Sequence, residues 1–238
     1  MKMKFSEIIK DWIFSFISVL FPNLCEVCDT TLVRGEKVMC THCLLEMPRI
    51  KDCGTEPNSV ERKCFVSGCC VRGTALFKYF RNDRYSEIVR QFKYHGRKKL
   101  AEDMGKILAL EKAGTGFFEG IDYLIPVPMH YWKKLGRGYN QAEEICRGIR
   151  SVTSIPLAFN LYAKKGHKTQ THKSAEERLK NTENIFDVKN PEELADKHIA
   201  LVDDVITTGS TMQHCAMILR DSVPGIKISF IAVASTGL

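Results

Sequence analysis

At 238 residues, with 44% apolar and 26% charged side chains, the chain has a globular composition, which excludes a disordered, collagen-like or wholly membrane-embedded protein. The net charge of +7 is unevenly spread: +1 over residues 1–77, +5 over 78–112, −2 over 113–129, +6 over 130–185 and −3 over 186–238. The middle of the chain is therefore where an anionic partner is drawn, whether phosphate, nucleotide or nucleic acid.

Residues 1–24 begin Met1-Lys2-Met3-Lys4 and continue apolar, in the manner of a secretory signal. Glu7, Lys10 and Asp11 interrupt that run, and no small-residue cleavage site precedes Cys25, so a signal peptide is not expected. Phe5, Ile8, Ile9, Trp12, Ile13, Phe16, Ile17 and Leu20 recur at helical spacing, which predicts an amphipathic helix closed by Phe21-Pro22-Asn23. Its apolar part is too short to span a bilayer, which takes about 20 such residues. The helix docks on its own protein or, since Phe14, Val19 and Phe21 widen the apolar face, places residues 5–21 on the inner membrane surface or a partner.

Residues 25–72 are cysteine-rich and lack regular periodicity, as small metal modules do. Eight of the ten cysteines fall between Cys25 and Cys70. That clustering argues for metal rather than a disulfide framework, and for a reducing, cytoplasmic setting. Cys25-x-x-Cys28 and Cys40-x-x-Cys43 form two tight turns, each able to point both sulfurs at one ion. Four thiolates fill zinc's tetrahedron, so the expected site is structural and folds a segment too poor in apolar residues to fold alone. A redox pair is disfavoured, because that motif sits singly at a helix start in a βαβ setting. A second zinc at Cys53, Cys64, Cys69 and Cys70 is not expected, since adjacent cysteines rarely ligate one ion; ordinary thiols are the expectation there.

From about residue 73 to 238 helix alternates with strand. Helices are predicted over 85–94, 100–110, 140–149 and 211–219, with strands over 123–127, 199–202 and 226–234. Such alternation implies a doubly wound, mainly parallel sheet. Residues 164–184 are polar and glycine-punctuated and read as a long loop.

The most informative stretch is Leu201-Val202-Asp203-Asp204-Val205-Ile206-Thr207-Thr208-Gly209-Ser210-Thr211. An apolar strand delivers two acids at its end, and a hydroxyl-rich turn then opens a helix. Successive amides and hydroxyls at a helix N-terminus cradle a terminal phosphate, and Gly209 lets the backbone approach it. Paired carboxylates repel a phosphate at contact distance, so Asp203 and Asp204 face something else: ribose hydroxyls, directly or through Mg²⁺. A polar turn capping a helix accounts for Ser210 or Thr211 but not for the two acids.

This stretch resembles the signature of the phosphoribosyltransferases that use phosphoribosyl pyrophosphate (PRPP). Ile125-Pro126-Val127-Pro128-Met129-His130, Arg137-Gly138-Tyr139-Asn140-Gln141-Ala142, Phe92-Lys93-Tyr94-His95-Gly96 and the run from Gln170 through Arg178 and Asn181 narrow the resemblance to the ComF/ComFC/GntX family. That family places a four-cysteine zinc ribbon before a type I phosphoribosyltransferase-like domain and is associated with DNA uptake and natural transformation. The departure is Ile50, which stands where a further cysteine would complete a CxxC with Cys53. The resemblance implies that Asp203 and Asp204 hold the ribose 2′- and 3′-hydroxyls, while Thr207, Thr208, Gly209, Ser210 and Thr211 hold the 5′-phosphate. The flanking Val205 and Ile206, and Val127 and Pro128 of the pyrophosphate-side turn, complete the binding set. Arg137, Lys164 and Lys165 are the candidates to neutralise pyrophosphate, with His95 and His130 flanking the same region. Three readings stand: a phosphoribosyltransferase with an unknown acceptor; a PRPP-binding protein of the DNA-uptake machinery with little turnover; and a zinc-ribbon single-stranded DNA binder on a retired enzyme fold. In the last, the basic stretches, the cysteine module and Tyr94, Tyr131, Trp132 and Tyr139 form a positive, stacking-capable track, although Tyr139 is expected in the core.

Overall fold

The structure is a computed structural model that describes residues 22–52, 56–65, 68, 70–94, 96–129, 135–164 and 185–237. The expected helix over residues 5–21 lies outside these. So do Cys53, Cys69, His95, His130, Tyr131, Trp132, Lys133, Lys134, Lys165 and the run 170–181. No helix among the described residues is long and apolar enough to cross a membrane.

The chain divides after Met47 into two compact units. The division falls within the 25–72 stretch. In the smaller unit, helix α1 (Thr41–Glu46) begins inside the second CxxC, with Cys40 at its N-cap position and Cys43 within it. Leu24 bridges Thr31 across the first turn, and Glu36 ties the intervening loop by accepting from the amides of Val33 and Thr41. Among the described residues of this unit the buried side chains are Cys25, Val38, Met39, Cys43 and Met47.

The larger unit runs α2 (Ser59–Phe65), β1 (Cys70–Lys78), α3 (Ser86–Tyr94), α4 (Lys98–Ala113), β2 (Tyr123–Pro126), α5 (Gln141–Thr153), β3 (Leu161–Ala163), β4 (Phe186–Val188), β5 (His198–Ile206), α6 (Ser210–Ser222) and β6 (Lys227–Ser235). Four parallel strands form one sheet in the order β1-β6-β5-β2, and β3 and β4 form a separate antiparallel hairpin. The central strands β5 and β6 are almost continuously buried, as strands covered on both faces must be. Alternation then sorts their side chains. Ile199 and Leu201 join Val60 of α2 and Met212, Cys215 and Leu219 of α6 in one core, while α4 and α5 pack together against β1, β2, β5 and β6. The α/β class and the mainly parallel sheet expected from the sequence are therefore present.

Two glycines set the spacing of the α4–α5 pair. A Cβ on Gly105 would lie 2.2 Å from the Ile145 carbonyl oxygen, and one on Gly148 would lie 2.0 Å from that of Glu102. The helices thus touch backbone to backbone. Both outer strands carry a short partner. Arg49 bridges Phe77 of β1, with Ile50 N donating to Leu76 O and Lys78 N to Pro48 O. On β2, Leu124 N donates to Pro156 O and Ala158 N to Leu124 O. A buried ion pair, Lys112 Nζ to Asp52 Oδ2 at 2.8 Å, holds the segment beside β1 to α4. Cys64 of α2 and Cys70 of β1, expected as ordinary thiols, lie side by side with their Cα atoms 5.6 Å apart.

Candidate functional site

Strands β2 and β5 are neighbours and run parallel, so their C-terminal ends leave the sheet side by side. The helices that follow them go to different layers, α5 onto the α4 side and α6 onto the α2 side. A crevice opens at such a point. It is a cleft of about 820 Å³ lined by Lys93, the 127–129 turn, Arg137, 140–142, Ile185, Phe186, 203–205, Thr207, Ser210, Thr211 and His214.

The two acids sit on β5, which extends beyond the predicted 199–202 because its ladder with β6 continues through Val205 and Ile206. Asp204 is buried and its Oδ1 lies 3.1 Å from Lys93 Nζ, reaching across from α3. Asp203 is half-buried and its Oδ1 accepts from the Asp204 amide at 2.8 Å, which fixes the carboxylate against its own strand. Beyond Ile206, Thr207, Thr208, Ser210 and Thr211 are exposed and Gly209 is buried. Gly209 has φ +82°, a left-handed conformation that suits glycine, and stands at the N-cap position of α6 without a side-chain cap. No side chain caps α6 from position 209, and the Ser210 amide donates to Thr208 Oγ1 at 3.4 Å, so exposed hydroxyls and amides gather at this helix start, the kind of groups that cradle an anion. The loop from 205 to 212 encloses a small hollow of its own beside Asp203.

On the opposite wall, Val127 N donates to Val202 O, continuing the β2–β5 pairing into the turn. Asn140 secures that turn twice. Its Nδ2 donates to Val127 O at 3.0 Å, and its Oδ1 accepts from Ala142 N as the N-cap of α5. Arg137 is half-buried and donates to Gln141 Oε1 at 3.3 Å. Tyr139 is buried, and burial pushes its phenol up to about 12, so its ring belongs to the packing rather than to an open stacking surface. Lys164 is not among the lining residues, but its amide donates to the carbonyl of Ile185, which is. The Lys164 ammonium pairs with Asp187 at 3.2 Å on the β3–β4 hairpin, where the Val188 amide and Lys164 hold the Asp187 carboxyl below its ordinary range. The cleft thus brings together Asp203, Asp204, Val205, Thr207, Ser210, Thr211, Val127, Pro128 and Arg137 from the expected set. It adds Lys93, Asn140, Gln141 and His214, of which Lys93, Asn140 and Gln141 lay within quoted motifs without an assigned role.

In the smaller unit the sulfurs of Cys25, Cys28, Cys40 and Cys43 all lie within 4.8 Å of one another. Cys28 Sγ and Cys40 Sγ are 3.7 Å apart, close to the edge of a tetrahedron with bonds of about 2.3 Å around zinc. The Cys40 amide donates to Cys25 Sγ, and the Thr30 hydroxyl and backbone bring the Cys28 thiol down to about 6. Burial raises the Cys43 thiol. A soft, four-sulfur donor set of this size fits zinc and leaves no position for a substrate.

No protein-family model matches the chain. It is 27% identical to competence protein F of Haemophilus influenzae over 212 residues, covering 84% of this chain and 92% of that protein. It is 24% identical to the DNA utilization protein YhgH of Escherichia coli over 221 residues, covering 87% and 95%. With competence protein ComFC of Bacillus subtilis the identity is 25% over 235 residues, covering 87% and 92%. Over most of its length the chain is therefore similar to proteins of the ComF/ComFC family. Among solved structures, the allosteric regulatory enzyme of purine biosynthesis matches 60% of this chain and 30% of its own at 18% identity, with a TM-score of 0.43.

Proposed function

We propose that the cleft binds PRPP together with Mg²⁺, and that the protein acts in the cytoplasm in DNA uptake, a role in keeping with relatives named for competence and for DNA utilization. The observation that carries this reading is continuity. The two acids of β5 lead within two residues into the open loop at the head of α6, and both face one cleft with Arg137 and Lys93. In this reading Asp203 and Asp204 accept from the ribose 2′- and 3′-hydroxyls, and residues 205–211 receive the 5′-phosphate. Val127 and Pro128 form the pyrophosphate-side turn. Prolines there remove amides, so cationic side chains supply the charge: Arg137, with Lys164 from the hairpin. Mg²⁺, when bound, neutralises the pyrophosphate oxygens. Transfer would form a bond from an acceptor nucleophile to the ribose anomeric carbon as the bond to pyrophosphate breaks, the electron pair leaving with pyrophosphate. The four-cysteine site would hold zinc as a structural ion. Single-stranded DNA is the second reading, favoured by the +5 and +6 segments, with DNA-uptake proteins or the inner membrane surface as further partners through residues 5–21.

Calorimetry tests the first reading. PRPP should bind in the presence of Mg²⁺ and more weakly without it. Asp203→Ala with Asp204→Ala should abolish binding, since each lost hydroxyl-holding carboxylate costs about 1.5–3 kcal/mol, roughly tenfold or more. Unchanged affinity in the double variant would remove the ribose from this site.

A further inference from the structure

Against the loop, and not among the residues lining the cleft, lies a buried cation. Lys63 of α2 is 5% exposed. Its Nζ lies 2.6 Å from Thr236 O, 3.2 Å from Thr236 Oγ1, 3.1 Å from Ser235 Oγ and 3.5 Å from Ile206 O. All four are uncharged oxygens, and no carboxylate among the described residues pairs with this ammonium. Burying an ammonium without a counter-ion is costly, and burial holds its pKa below the ordinary lysine value. Its surroundings are the phosphate-loop scaffold. The Lys63 side chain packs on Gly209, where an added Cβ would come within 3.1 Å of the Lys63 Cβ. The Lys63 carbonyl accepts from Gln213 Nε2 in the first turn of α6 at 2.8 Å. Thr236, which the ammonium grips, donates through its Oγ1 to Thr207 O and through its amide to Ile206 O.

We propose that Lys63 is a positioning residue for the anion: it ties the loop entry at 206–207 to the end of β6 and supplies the positive charge that a phosphomonoester dianion completes. This rests on residues 205–211 being the 5′-phosphate cradle. A buried charge without a protein partner favours an occupant of charge −2 over one of charge −1, because interactions across a low-dielectric interior are weakly screened. The loop amides alone would bind either charge state of a tetrahedral anion, and the cation sets the preference.

The test uses ribose 5-phosphate without Mg²⁺, so that the acids of β5 are not loaded, titrated between pH 5 and 8 across the phosphate's second pKa of about 6. Wild type should bind more tightly as the dianion forms. Lys63→Gln, which keeps a donor for Thr236 but removes the charge, should lose on the order of tenfold to a hundredfold at pH 8 and much less at pH 5, flattening the profile. Lys63→Arg should restore the slope. A uniform loss at every pH, or no loss, would overturn the proposal while leaving the phosphate reading intact. If wild type binds neither ribose 5-phosphate nor PRPP, that reading fails and this inference with it. Should both variants misfold, wild type still decides: ribose 5-phosphate should bind well above its singly charged 5-sulfate analogue at pH 8, and equal affinity would overturn the proposal.

Discussion

Lys93 on α3 and Asp204 on β5 meet across the cleft at 3.1 Å, with the carboxylate largely out of water. The pair ties the α3 end of the cleft to the sheet at the position proposed for a ribose hydroxyl. It is also the kind of contact whose two halves depend on each other. Removing one partner of a buried pair costs about 3–5 kcal/mol, and exposed pairs are worth about 1 kcal/mol or less. With Lys93 about a quarter exposed, Lys93→Met should cost roughly 1–2 kcal/mol, between those limits. Denaturant melts of Lys93→Met, Asp204→Asn and the double variant should show non-additivity of at least about 0.5 kcal/mol. Strict additivity would mean that the pair does not couple.

Metal analysis should return one zinc per chain. Cys40→Ser with Cys43→Ser should release it, and residues 22–47 should then lose their protection from proteolysis, because among them only Cys25, Val38, Met39, Cys43 and Met47 are buried. Zinc retained in that double variant would move the site elsewhere.

The hydroxyl-rich turn at the head of α6 and the cluster of the two CxxC pairs were legible in the sequence because each is local: the groups that come together are neighbours in the chain. The strands around 123–127, 199–202 and 226–234 were legible for a related reason, since continuous apolar runs must be buried. β5 was underestimated because Asp203 and Asp204 interrupt its apolar run while its backbone ladder continues. Lys63 was not legible. Its partners Ile206, Ser235 and Thr236 lie 143 to 173 residues away, and the adjacent Cys64 draws attention to metal. Lys93 stood inside a quoted motif, but nothing local indicates that it reaches Asp204. β1 escaped notice because Cys70, Arg72 and Gly73 dilute the β-branched pattern before the buried run Ala75, Leu76 and Phe77.

Gly105→Ala and Gly148→Ala should each be severely destabilising. The added methyl meets a backbone carbonyl of the facing helix rather than a movable side chain. Overpacking costs about 1–3 kcal/mol and occasionally more, so a loss of about 3 kcal/mol and a drop in Tm of roughly 6–12 °C are expected. Gly114→Ala, where nothing lies within 4 Å, is the control and should be close to neutral. Equal behaviour of the three would contradict the backbone contact.

Acid should weaken the fold through His198 before the carboxylates respond. Burial, with help from Arg72 and Lys227, lowers the His198 pKa below 6.5, and its Nε2 lies 2.9 Å from Ser229 Oγ. Because the unfolded chain binds the proton more readily, this contribution is present above about pH 6.5 and is lost as the pH falls below it. One such group changes stability by at most about 1.4 kcal/mol per pH unit. Melts between pH 7.5 and 5 should therefore show a decline that His198→Gln reduces. An identical decline in the variant would assign it to other groups.

The short partners on β1 and β2 have a consequence for self-association. A parallel sheet ends in two rows of amides and carbonyls that can template a strand from a second molecule. Here the carbonyl of Leu76 and the amide of Lys78 on one side, and both polar groups of Leu124 on the other, are already taken by the chain's own segments at 48–50 and 156–158. At those positions the sheet cannot grow by edge-to-edge addition, so destabilised variants should clump through exposed core faces rather than polymerise strand by strand.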